Sequence, residues 1–217
     1  MRTSSCAARE PSLKTSNAAL EHERPLVTRH VHGRHDQPRR SLATGCEPSR
    51  AAGAAAALLR DVGPSAAAAL QEAGYAGGAT VFEAFRAWLH ERGDGAPEDL
   101  DFETFQRRAS EYFRLAGWGT LEIASLRDAV ATVDTDDWGE AHPDDHLDQP
   151  GCHFTTGMLA DFFGRFSDVP LAVLEVECRS AGHERCRFLL GNGDVMRFVY
   201  DRMEQGEPYD AIVAAVE

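Results

Sequence analysis

The sequence has no apolar run approaching the ~20 residues that a membrane-spanning helix needs, and no apolar core near its first residues such as a secretory leader carries. The expectation is therefore a cytoplasmic protein without a membrane span. A dinucleotide fingerprint is also missing. Gly191-Asn192-Gly193 lacks the third glycine and precedes a terminal helix outside any βαβ unit. There is no phosphate loop and no iron–sulfur series of cysteines. Since a reduction needs a hydride or electron source, the sequence offers no reductase machinery of its own. Asp136, Asp137, Glu140, Asp144, Asp145 and Asp148 do not follow EF-hand spacing, so 134–151 reads as a solvated acidic loop rather than a calcium site. Cysteine is scarce, five in 217 residues. In a reducing compartment so few thiols are expected to be free or metal-bound rather than paired as disulfides.

What charge there is falls unevenly. Residues 1–50 hold 9 Lys/Arg against 5 Asp/Glu, a net of +4, and the remainder holds 13 against 30, a net of −17. An acidic folded part repels a phosphate backbone, which argues against nucleic acid as its partner. The basic segment, with His30, His32, Arg34, His35, Arg39 and Arg40, has no periodicity and no interleaved aromatics, and reads as a disordered tail. Two regions follow: a tail over 1–50 and one folded domain over 51–217.

Within that domain the pattern is α+β. Ala54 to Ala73 reads as helix interrupted near Gly63-Pro64, and Thr80 to Arg92 as a second helix stopped by Gly93. Asp101 reads as the N-cap of a helix through Leu115, with Phe102, Phe105, Ala109, Tyr112 and Phe113 toward the core. After Gly117-Trp118-Gly119 the period changes. Leu121 to Ser125 and Ala129 to Val133 read as a hairpin. Phe154 to Phe166 is a helix with Phe154, Met158, Phe162 and Phe166 on one face. Two β-rich runs, Pro170 to Cys178 and Arg185 to Leu190, precede two closing helices. This order suits an antiparallel sheet with packed helices, not repeated βαβ winding.

Three cysteines carry the candidate chemistry. Cys152 opens the long helix, Cys178 ends one expected strand and Cys186 begins the next. A hairpin turn over 179–185 would bring the last two together, and a helix start packed beside it would add the first. Thiolates suit a borderline cation such as zinc, and a fourth ligand would close a tetrahedral site. Spacing leaves that ligand open among Glu175, Glu177, His153 and His183. Common Cys3His sites speak for His183. The pleat speaks against Glu175, because positions 175 and 178 face opposite sides of a regular strand unless a bulge intervenes. The plainer account is that all three cysteines are buried small hydrophobes.

The segments Cys152-His153-Phe154-Thr155-Thr156-Gly157-Met158, Glu175-Val176-Glu177-Cys178 and Gly182-His183-Glu184-Arg185-Cys186-Arg187-Phe188, with Gly117-Trp118-Gly119 upstream, resemble the 4-vinyl reductase domain family over roughly residues 80–217. The resemblance implies a small-molecule-binding fold shared with vesicle-tethering complex subunits. It implies zinc held by Cys152, Glu175, Cys178 and Cys186, with His183 as the alternative fourth ligand. Such a site is saturated, hence structural. It further implies a cavity for a small apolar or aromatic molecule, with Phe105, Tyr112, Phe113, Trp118, Met158 and Phe162 as candidate lining, although aromatic stripes at helical spacing are more often plain core. Three functions follow from the resemblance. The first is a non-catalytic sensor acting through a partner protein or a homodimer. The second is a bacteriochlorophyll-synthesis protein acting on or carrying a 4-vinyl tetrapyrrole, which would be a 4-vinyl reductase if catalytic. The third is a protein-interaction adaptor.

Overall fold

A computed structural model describes residues 48–127 and 129–216. The expected tail therefore lies almost wholly outside the described residues, and its Arg/His cluster entirely so. Six α-helices and four strands follow in the order α1 (Pro48–Val62), α2 (Pro64–Arg92), α3 (Phe102–Leu115), β1 (Glu122–Arg127), β2 (Val130–Thr135), α4 (His153–Ser167), β3 (Ala172–Glu177), β4 (Cys186–Gly191), α5 (Gly193–Met203) and α6 (Tyr209–Ala214). All strand pairings are antiparallel, in the order β1-β2-β4-β3. The α+β class expected from the pattern is the class found. No helix among the described residues is long and apolar enough to cross a membrane.

The sheet has a core on each face. Period-two alternation along β4 sends Phe188 and Leu190 into a large aromatic core and Leu189 into a small one. The large core joins the sheet to α2, α3 and α4 through Phe82, Phe85, Leu89, Phe105, Phe113, Met158 and Phe162. The small core joins the other face to α5 and α6 through Val130, Val176, Leu189, Met196, Val199, Ile212 and Val213.

Helix boundaries follow local chemistry. Gly63 takes φ 74°, Pro64 sits in the first turn of α2, and Gly93 closes the helix in the left-handed region at φ 78°. Asp101 caps α3 by accepting the Thr104 N–H at 2.9 Å. The two helices expected over 54–73 and 80–92 are, beyond Gly63, one continuous helix of 29 residues. Gly74, Gly77 and Gly78 fall in the interval between those two expected helices, and two of them are sites of close approach to α4. A Cβ on Gly74 would lie 2.0 Å from the Phe154 carbonyl oxygen, and one on Gly78 would lie 2.6 Å from Asp161 Cβ. Gly157 answers from α4, where a Cβ would sit 1.9 Å from the Gln71 carbonyl oxygen. Backbone-to-backbone packing at this distance admits no side chain.

Two further expectations need correction. Phe102, assigned to the core, is 49% exposed, because it lies in the first turn of α3 at the rim of the sheet. The segment 134–151 is not simply a solvated loop. β2 extends to Thr135, and Trp138, Glu140 and Ala141 are buried.

Replacing Gly157 with Ala should therefore force α2 and α4 apart. Overpacking of this kind typically costs about 1–3 kcal/mol. A thermal melt should show a midpoint lower by several degrees, and an unchanged midpoint would contradict the packing.

Candidate metal centre and apolar cavity

Cys152, Glu175, Cys178 and Cys186 converge at one end of the β3–β4 hairpin. Their donor atoms lie within 4.8 Å of one another and all four residues are buried. Cys152 Sγ is 3.9 Å from both Cys178 Sγ and Cys186 Sγ. With metal–sulfur bonds of ~2.3 Å, tetrahedral ligands stand ~3.8 Å apart, so the thiols have the spacing that an ion would impose. The pleat objection to Glu175 is answered by a β-bulge. Glu175 pairs with Phe188 and Glu177 with Arg187, which leaves Val176 as the extra residue. Val176 packs in the small core, Glu177 meets Tyr209 and Arg185 on that same face, and Cys178 returns to the face of Glu175.

The donors' electrostatics favour a cation between them. Glu175 Oε2 accepts the Cys152 N–H at 2.8 Å, while Glu175 Oε1 is buried without a hydrogen-bond partner. Burial, and then the charge of Cys178, raise the Glu175 carboxyl well above the usual carboxylate range. Hydrogen bonds from the Cys152 and Cys186 thiols hold Cys178 far below an ordinary thiol. Cys152 is raised by the same sharing with Cys178 and Cys186 and by burial. In the protein alone, then, one thiolate is favoured and the other donors resist ionisation. Only a cation lets four such groups be charged together. The donor set fits a thiophilic divalent ion, and one buried carboxylate oxygen is left without a partner that such an ion could supply.

The other candidate ligands stand elsewhere. His183 is exposed, and its Nδ1 lies 3.2 Å from the Cys178 N–H and 3.1 Å from the Cys178 carbonyl oxygen, bracing the turn. Glu177 is held by Arg185 and Tyr209. His153 is half-buried beside the cage, with burial lowering its pKa.

Glu140 was missed in the sequence. Its carboxylate accepts the Phe154 N–H at 3.0 Å, the Thr155 N–H at 2.8 Å and the Thr155 hydroxyl, and so supplies the cap that Cys152 cannot give α4. Trp138 Nε1 donates to the same Thr155 Oγ at 2.6 Å. An acid in a loop 14 residues upstream of its partner leaves no local signature.

A cavity of about 340 Å³ opens at the opposite end of β4, between α3, the end of α4 and the sheet. Phe102, Phe105, Ile123, Phe163, Phe166, Leu171 and Leu190 supply its apolar walls. Of the six residues proposed as lining, only Phe105 borders it. Tyr112, Phe113 and Phe162 interlock with Phe85, Trp118 stacks between Trp138 and Phe154, and Met158 is wholly buried in the same core.

Residues 143–192, which contain all four cage residues, match the family model of the vinyl-4-reductase domain, so the resemblance to the 4-vinyl reductase domain family holds over that segment. Among solved structures, the chain is similar to the phenol-responsive sensory domain of the transcription activator PoxR with phenol. The TM-score is 0.53 at 14% identity, covering 75% of this chain and 83% of that one. It is also similar to a vinyl-4-reductase family protein from Methanocaldococcus jannaschii, with a TM-score of 0.42 at 21% identity, covering 56% and 66%. At 14% identity the likeness to the sensory domain is one of fold. No curated protein matches the chain.

Glu140 gives the site a pH signature. Burial raises its carboxyl to about 7, against the hydrogen bonds from Thr155 and Phe154 that lower it. A carboxyl whose folded value is raised stabilises the fold below its unfolded value, near 4.5, and loses that contribution as pH rises through about 7. Melting curves from pH 5 to 8 should fall more steeply for the parent than for Glu140→Gln, by on the order of 2 kcal/mol across the range. Parallel curves would contradict this assignment.

Proposed function

We propose that the domain is a non-catalytic sensor of a small apolar or aromatic molecule, stabilised by zinc at Cys152, Glu175, Cys178 and Cys186. The observation that carries the reading is the pairing of a closed, four-donor cage with a separate apolar cavity in one sheet. Three thiolates and a carboxylate saturate a tetrahedral ion and leave no position for a water or substrate, so the ion would supply folding energy rather than Lewis-acid chemistry. The cage residues themselves pin the start of α4 to the β3–β4 hairpin. Recognition falls to the cavity. The phenol-bound sensory domain of similar fold supports a small-molecule role.

Size bears on the tetrapyrrole alternative. An apolar cavity of about 150 Å³ holds a benzene molecule, so 340 Å³ accommodates roughly two such rings, which favours a small aromatic guest over a macrocycle. A colourless preparation is expected, and a porphyrin-like absorption retained through purification would favour the tetrapyrrole reading. A protein that bound neither metal nor small molecule would leave the adaptor reading ahead. The signalling partner, or a second copy of the chain, would act downstream of the cavity.

Two measurements test the proposal. Native mass spectrometry and elemental analysis should find about one zinc per chain, lost in Cys178→Ser. A strong chelator should lower the thermal midpoint by well over 5 °C, since structural zinc is directly coupled to folding. Separately, Leu190→Trp should fill the cavity and weaken binding of toluene or phenol at least tenfold while zinc content stays unchanged. Full retention of binding by that variant would move the ligand elsewhere.

A further inference from the structure

We infer that occupancy of the cavity is read out by the C-terminal helix pair α5–α6 through the Gly191–Asn192 junction. This deepens the small-molecule reading above and rests on it.

The cavity has two unlike walls. One is built by α3 and α4, where Phe105 stacks on Phe166 at 3.6 Å and meets Phe163 edge-on at 6.0 Å. Phe105 and Phe163 are buried in the large core, so this wall is fixed. The other wall is sheet, Ile123, Ser125 and residues 129–131 of the β1–β2 hairpin with Leu190 and Gly191 of β4, and ends on the first step beyond it, Asn192. Asn192 belongs to two structures at once. It borders the cavity, and its Oδ1 accepts the Val195 N–H at 2.9 Å as the N-cap of α5.

The junction has no slack. A Cβ on Gly191 would lie 2.8 Å from the Ala129 carbonyl oxygen and 3.0 Å from Met196 Cε. The strand end, the β1–β2 turn and the first turn of α5 therefore meet at one point. Beyond it, α5 and α6 are held by the small core and, at the start of α6, by the hydrogen bonds of Tyr209 with Glu177 and Arg187. Local opening follows buried contact, so on this side of the molecule the helix pair opens before the aromatic wall does.

A ligand shifts an equilibrium by the difference in its contacts with the two states. While α5 is capped, Asn192 stands as cavity wall, and when the junction opens that part of the wall is lost, whereas Leu190 stays in its ladder. A guest in the cavity thus binds the capped state better and holds the cap in place. Signal leaves the binding site through Asn192, which is both cavity wall and the cap of α5.

Hydrogen–deuterium exchange of the full chain with saturating toluene tests this. Amides of residues 194–216 should slow about tenfold, inside the five- to 150-fold span of ordinary coupling, while those of α2 stay as they were. Asn192→Ala should still bind toluene yet lose most of that slowing. Ala131→Leu, which adds bulk at the cavity without touching the cap, should slow α5–α6 exchange with no toluene present, and it serves alone if the Asn192 variant does not fold. Toluene bound with α5–α6 unchanged overturns the coupling and leaves the binding reading intact. So does uniform slowing that includes α2, which is overall stabilisation by binding. Absence of binding by toluene, phenol and naphthalene alike overturns the binding reading and the inference with it.

Discussion

A regular strand presents residues three apart to opposite faces, so Glu175 and Cys178 could not meet one ion on a flat β3. The extra residue at Val176 removes that conflict, and much of the hairpin end is arranged around it. Before the bulge, Val173 and Glu175 face the large core. Leu174 and Val176 face the small one. After it, Glu177 stays with the small-core face and Cys178 crosses back. β4 needs no such device, because Cys186 lies between Arg185 and Arg187 and simple alternation separates thiol from cations. The result is a sheet end with thiols on one side. On the other side lies an ion network in which Arg187 grips Asp134 at 2.6 and 2.7 Å and Arg185 holds Glu177 at 2.8 Å, with Tyr209 of α6 hydrogen-bonded to both Glu177 and Arg187.

Two buried carboxylates near the start of α4 show how differently such a group can be satisfied. Glu140 is answered entirely by the protein, with two backbone N–H groups and a hydroxyl at the helix start, where the dipole also favours negative charge. Glu175 is answered by half. One oxygen takes the Cys152 N–H and the other is buried without a hydrogen-bond partner. In a domain whose folded part already carries a net of −17, a further buried anion has no surplus of cations to draw on. That asymmetry between two chemically identical side chains is the strongest physical support for the proposed ion.

Features that depend on neighbours in sequence were legible, and those that depend on neighbours in space were not. The Asp101 cap, the Gly63-Pro64 break, the Gly93 stop and both hairpins could be read directly, since each is written in a few consecutive residues. The clustering of Cys152, Cys178 and Cys186 was legible as well, because a helix start and a hairpin end are local objects. The fourth donor was not legible from spacing, because a bulge changes which face a residue occupies without changing its composition, and only the family resemblance pointed to Glu175. The continuity of α2 through Gly74 and Gly78 was not legible for a related reason: glycine opposes a helix intrinsically, and only the presence of α4 in close contact makes its small size the deciding property. Glu140 and the cavity are wholly tertiary. Of six aromatics with the right chemistry to line a pocket, five are instead interlocked as core, and Phe105 alone stands where the packing of α3 against α4 runs out.

Strand β4 is where these separate features become one molecule. Cys186 at its start belongs to the cage, and Leu190 and Gly191 at its end belong to the cavity, some ~17 Å apart at ~3.3 Å per residue. β4 is also an inner strand, paired on both sides, so its ladder hydrogen bonds are satisfied along its length. A binding cavity discriminates among guests only if its walls keep their places, and a strand pinned at one end by the proposed ion among four convergent donors would have little freedom to slide. Beyond Gly191 that constraint ends, and the chain enters a helix held by a single capping side chain and a small core. On the proposed sensor reading, rigidity at the cage end and compliance at the α5 end are complementary: the first would keep the cavity's shape, and the second would give a bound molecule something to move.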